Sequence, residues 1–114
     1  MQYFLTILTA PDAEPYDPEL DNVEEWVRDA KASGARLVGN RLRPIEDAVV
    51  VRRRNGELLV TDGPFAEGKE LIAGFDVFEC DSLEQALDFA AKHPMARFGQ
   101  IEVRQVWPFD EEVK

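Results

Sequence analysis

Thr61-Asp62-Gly63-Pro64-Phe65-Ala66-Glu67-Gly68-Lys69-Glu70 breaks the pattern between two strand-like apolar runs. Joining antiparallel strands takes as few as roughly two residues. A longer connection, holding Gly-Pro turn chemistry and ionisable side chains, is where binding or catalysis is commonly carried. On its N-terminal side Ala48 to Arg53 and Glu57 to Thr61 flank Arg54-Asn55-Gly56. Asn and Gly both tolerate positive φ, which predicts a tight hairpin. On its C-terminal side Leu71 to Glu79 reads as a further strand, interrupted by Gly74, where a bulge or close backbone approach is expected.

Working outward, Ser82 with Gln85 at the capping-box position opens a helix whose Leu83, Ala86, Leu87 and Ala90 form one apolar stripe, closed by Pro94. Gln100 to Val106 then alternates as a strand with one wetter face, and Pro108 to Lys114 forms an acidic tail. At the other end, Gln2 to Leu8 carries apolar residues on both faces, which predicts a central strand. Pro11 to Pro18 reads as loop, and Asp21 with Glu24 predicts a cap for a helix carrying Leu20, Val23, Trp26, Val27 and Ala30, with Gly34 as its stop. Ala35 to Leu42 returns as a strand, and Pro44 to Asp47 is a break. The order is β-α-β, hairpin, β-α-β. That is an α+β chain on the ferredoxin-like βαββαβ plan, with an antiparallel sheet and an additional β-hairpin, in one domain over residues 1–114. Two helices cover one face of such a sheet. The other keeps apolar runs such as Val49-Val50-Val51 and Phe75 to Phe78, for which a second copy packed sheet to sheet is the simplest cover, so a homodimer is expected.

Among 114 residues, 23 are acidic and 13 basic, for a formal net charge of −10. This balance argues against nucleic acid or an anionic membrane surface as partner. Met1 to Ala10 lacks a basic n-region and meets Pro11 and Asp12 too early for a signal peptide, and no apolar run reaches membrane-spanning length. A cytoplasmic location is expected. Cys80 is the single cysteine, which excludes an internal disulfide and a Cys-rich zinc site and suits a buried thiol.

Two ionisable residues stand out. Asp62 precedes Gly63 and Pro64, where a carboxylate can serve its own turn's amides or, desolvated at a cavity mouth, act as a base. His93 is the only histidine. At a helix end its protonated form gains about 0.3–1 kcal/mol from the macrodipole, a sufficient structural role. It is also the side chain best poised for proton transfer near neutrality. Gly63 and Pro64 would aim Asp62, and Phe65 is either a core or interface plug or a platform for a ligand. In the basic run Arg52-Arg53-Arg54, strand alternation sends Arg52 and Arg54 to one face, solvated or capturing a small carboxylate or phosphate with Arg41 or Arg43. Glu67, Lys69 and Glu70 are expected to include a loop salt bridge, Trp26 belongs to the core, and Trp107 is a candidate for a dimer edge.

The run Thr61 to Phe65 with Glu67, Lys69 and Glu70, the Ser82 to Pro94 helix ending in Lys92-His93-Pro94, the Gly99 to Arg104 strand and the opening Met1 to Leu8 strand together resemble the YCII-related, or DGPF, family of YciI-like proteins. Gly68 and Ala73 depart from it, at positions where a hydroxyl residue and a second glycine are usual. The resemblance implies a dimeric α+β barrel, whose sheets face each other around a cavity. It also implies an acid-base site built on Asp and His. The residues offer Asp62 and His93 for it, with Gly63, Pro64, Phe65 and Arg52 near the ligand, and the enzyme reading needs no metal or organic cofactor. A small anionic or aromatic molecule is the expected ligand. A regulatory module of the sigma-factor-associated type, with a protein partner and no catalysis, is the alternative. A cofactor-free monooxygenase or haem-handling enzyme is a third reading, by analogy with the superfamily.

Overall fold

A computed structural model describes residues 1–63 and 71–111, and the motif residues Pro64 and Phe65, with Glu67, Gly68, Lys69 and Glu70, lie outside them. Strands β1 (Gln2–Leu8), β2 (Arg36–Arg41), β3 (Val49–Arg54), β4 (Glu57–Asp62), β5 (Ile72–Glu79) and β6 (Gln100–Gln105) accompany helices α1 (Val23–Ala32), α2 (Leu83–Lys92) and a short α3 (Met95–Phe98). Four strands form an antiparallel sheet in the order β2-β5-β1-β6, which is the ferredoxin-like arrangement, and β3 pairs with β4 in a separate two-stranded sheet.

Strand alternation decides what each face meets. Tyr3, Leu5 and Ile7 of β1 and Phe78 of β5 point beneath the helices and are buried, with Leu5 and Phe78 wholly inaccessible. Small residues, Ala30 on α1 and Ala86 and Ala90 on α2, join the same cluster. Trp26 packs against Phe78 at a centroid separation of 5.6 Å, and its Nε1 donates to the Phe89 carbonyl at 2.8 Å, so the buried indole is satisfied. Cys80 is buried in this cluster, as expected of a structural thiol.

Several local expectations are corrected. Asp21 does not cap α1. The N-cap is Asn22, while Asp21 accepts from the Val23 N–H at 3.1 Å and Leu20 belongs to a preceding 3-10 turn, Pro18–Leu20. On α2 the anticipated stripe is rotated: Ala86 and Ala90 are buried, but Leu83 and Leu87 are exposed, and Phe89 and His93 complete the inner face. Both sets fit helical spacing, so periodicity alone could not choose between them. Ser82 does cap α2, accepting from the Gln85 N–H at 3.2 Å.

The Asn55-Gly56 turn has φ of 51° and 79°, the positive values that close a tight hairpin. Ile7 faces Gly74 and Leu8 faces Ile72, which leaves Ala73 as the extra residue of a bulge in β5. The far face of the main sheet carries exposed Phe4, Val38 and Ile72, with Phe4 stacked on Phe75 at 6.0 Å. One face of the hairpin carries Val49, Val51, Leu58 and Val60, all exposed.

Candidate functional site

A cavity of about 440 Å³ opens between α1, the β2–β5 edge of the sheet and the turn joining α2 to α3. Its apolar wall includes Val23, Trp26, Val27 and Met95, and its polar end holds Arg36, Asp76 and His93. Sites of roughly 300–1,000 Å³ with a few convergent polar groups are typical of small-ligand binding.

His93 is the C-cap residue of α2 and is 7% exposed. Its Nδ1 accepts the Met95 N–H at 2.9 Å, and its ring meets Trp26 edge-on at 4.4 Å. Burial pushes its pKa down to about 4; Asp21 opposes this and the Arg36 charge adds to it. The helix-end role expected of a protonated imidazole is therefore replaced by a neutral one, because desolvation outweighs the dipole at this position. A neutral imidazole whose Nδ1 accepts must carry its proton on Nε2. His93 lines the cavity, and among the described residues no hydrogen-bond partner meets Nε2.

Asp76 is 4% exposed and accepts from Arg36 Nε at 2.8 Å. Burial raises its pKa; the hydrogen bond and charge of Arg36 oppose that shift. Gly39 stands opposite Asp76 in the sheet register, and a Cβ there would collide with Asp76 Oδ1 and lie 2.5 Å from Arg36 Nη2. Glycine at that position is what lets the pair lie flat across the two strands. Asp21 also lines the cavity, but its oxygens are engaged by the Tyr16 hydroxyl at 2.5 Å and by the Val23 N–H.

Those of the other anticipated residues that are described lie elsewhere. Asp62 is exposed at the end of β4, paired with Val49, and does not line the His93 cavity. The Gly63 N–H donates to Ala48 O at 2.7 Å, which ties the motif's start to the hairpin. Arg52 is half-buried on the hairpin face shared with Val50 and Leu59. Arg36 and Asp76 were missed by sequence reasoning. Alternation offered a signal for Asp76, which shares the inward register of β5 with Gly74 and Phe78; the partnership with Arg36 depends on strand pairing and had none. Among the described residues no cluster of three or more His, Cys, Asp or Glu could hold a metal, and no helix is long and apolar enough to cross a membrane.

Sheet order and helix placement define a ferredoxin-like α+β chain, with a small-molecule-sized cavity at one sheet edge. The chain belongs to the YCII-related domain family, whose match covers residues 1–110. A 50-residue stretch is 52% identical to an uncharacterized protein of Rhizobium meliloti (strain 1021), spanning 44% of this chain and 40% of that protein. The solved structure of 5-chloro-2-hydroxyhydroquinone dehydrochlorinase (TftG) from Burkholderia phenoliruptrix AC1100, in complex with 2,5-dihydroxybenzoquinone, is similar over 94% of each chain, with a TM-score of 0.50 and 15% identity. At that identity the likeness is one of fold.

Proposed function

We propose that this protein is a homodimer that binds a small anionic or aromatic molecule in the Arg36–Asp76–His93 cavity and moves a proton on it without a cofactor. The observation that carries the reading is the pairing of two deeply buried polar groups of opposite character on one chamber: a carboxylate whose pKa burial raises and an imidazole held neutral. Titratable groups perturbed by desolvation in a cleft, each beside a specific charge, mark a candidate acid-base site. Asp76 takes the proton, and the His93 Nε2–H holds the oxygen on which negative charge develops. His93 keeps its place from the sequence-based proposal. Asp62, with Gly63, Pro64, Phe65 and Arg52, is proposed to act at the hairpin, the part of the protomer offered to a second copy. The relative of the same fold that holds a dihydroxybenzoquinone is compatible with a small planar ligand.

The apolar far face of the sheet and the exposed ladder Val49, Val51, Leu58 and Val60 support the dimer, because each such side chain gains about 1.5–3 kcal/mol on full burial. Deuterium exchange into an enolisable aromatic acid, phenylpyruvate, followed by proton NMR, tests the chemistry. Acceleration over buffer is expected for the native chain and for Asp62→Asn, with loss of at least about a hundredfold in Asp76→Asn and His93→Gln, the lower end of acid-base contributions. No acceleration with the native chain would overturn the catalytic reading and leave the regulatory one, in which the same faces bind an effector or a protein partner.

A further inference from the structure

We infer that Arg36 is an anion-orienting residue, and that the cavity selects a carboxylate-bearing molecule with an apolar body over its neutral counterpart. This deepens the proposal above and rests on its choice of cavity. Arg36 reaches Asp76 through Nε, and among the described residues no group other than Asp76 accepts from its guanidinium. A guanidinium carries five N–H donors in a planar fork, so the edge away from Asp76 is left to a ligand. Arg36 borders the cavity and its side chain is only 14% exposed, which shields an ion pair formed there from solvent.

The surrounding hydrogen-bonding groups favour an acceptor such as a carboxylate. His93 offers Nε2–H and no acceptor, since Nδ1 is taken by the Met95 amide. Asp21, the other carboxylate on the wall, keeps its negative charge but directs its oxygens to the Tyr16 hydroxyl and the Val23 amide, and Arg41 balances it. Asp76 is bound to Arg36 and neutralises one charge of the site. Arg41, exposed at the rim, places its positive charge at the entrance. Donors therefore outnumber uncommitted acceptors at the polar end, while Trp26, Val23, Val27 and Met95 supply the wall for an apolar body. Charge-assisted, planar contact of this kind matches a carboxylate in shape as well as sign.

The test is equilibrium binding by calorimetry of benzoate and of benzamide, its neutral isostere, to the full chain. Native protein is expected to prefer benzoate by at least about tenfold, the factor corresponding to one charge-assisted contact. Arg36→Lys should reduce that preference severalfold, because an ammonium cannot reproduce the fork. Arg36→Met combined with Asp76→Leu, which leaves no unpaired buried charge, should abolish it, with circular dichroism checking the fold. Equal binding of both compounds, binding of neither, or an unchanged preference in Arg36→Lys overturns the inference, as does a preference that survives in the folded double variant. Proton exchange does not enter this equilibrium. Preference without turnover removes the chemistry and keeps the anion site; turnover without preference does the reverse.

Discussion

Arg36 and Asp76 form their ion pair between neighbouring strands, Nε to Oδ1 at 2.8 Å, directly over the bare backbone of Gly39. Breaking a buried pair by removing one partner strands the other charge, at a cost of about 3–5 kcal/mol. Arg36→Met should therefore lower stability by that order in urea unfolding. Its loss removes both influences that lower the Asp76 pKa and leaves burial, which raises it. A carboxyl whose folded pKa exceeds its unfolded value contributes stability that is lost as pH rises through the folded pKa. The deficit of the variant relative to the native chain should thus shrink in acid, and a pH-independent deficit would contradict the buried-charge explanation.

Gly39→Ala should displace the pair, since its Cβ would collide with Asp76 Oδ1. Overpacking of this kind costs about 1–3 kcal/mol, and ligand binding in the cavity should fall with it. Gly34→Ala is the control. Nothing lies within 4 Å of its Cβ, but its φ of +80° is strained for alanine, so stability should drop by about 1 kcal/mol with binding unchanged. Equal binding in both variants would count against a role for the pair at the cavity.

His93 should report its own state, because it is the chain's single histidine. Its folded pKa of about 4 lies below the reference value of 6.5, so the unfolded chain binds the extra proton first as pH falls. Its contribution is present in full above pH 6.5 and is lost progressively toward pH 4, by about 3 kcal/mol in total. Nitrogen-15 NMR should show an Nε2–H tautomer with no titration near pH 6.5, and His93→Gln should flatten the stability profile across that window. A midpoint near 6.5 in the folded protein would contradict the buried, neutral assignment.

Charging the exposed apolar ladder should separate the proposed dimer. Val51→Glu on the hairpin or Phe4→Glu on the sheet places a carboxylate where a second copy would bury apolar surface, and light scattering coupled to size exclusion should shift from dimer to monomer mass. A native chain that already elutes as a monomer would remove the homodimer from the proposal.

Sequence alone determined the order of the six strands and the two longer helices, the central place of β1, the Asn55-Gly56 hairpin and the bulge near Gly74, because each follows from local backbone chemistry and from two- or 3.6-residue periodicity. It also singled out His93, the only residue of its type. Tertiary structure alone decided that His93 is buried and neutral and that its neighbours on the cavity are Arg36 and Asp76, with Asp62 on the hairpin instead. It also fixed which stripe of α2 turns inward. The physical reason is that desolvation and ion pairing depend on which distant segments share a wall. Arg36 and Asp76 stand 40 positions apart along the chain, and only the register of β2 on β5 brings them together.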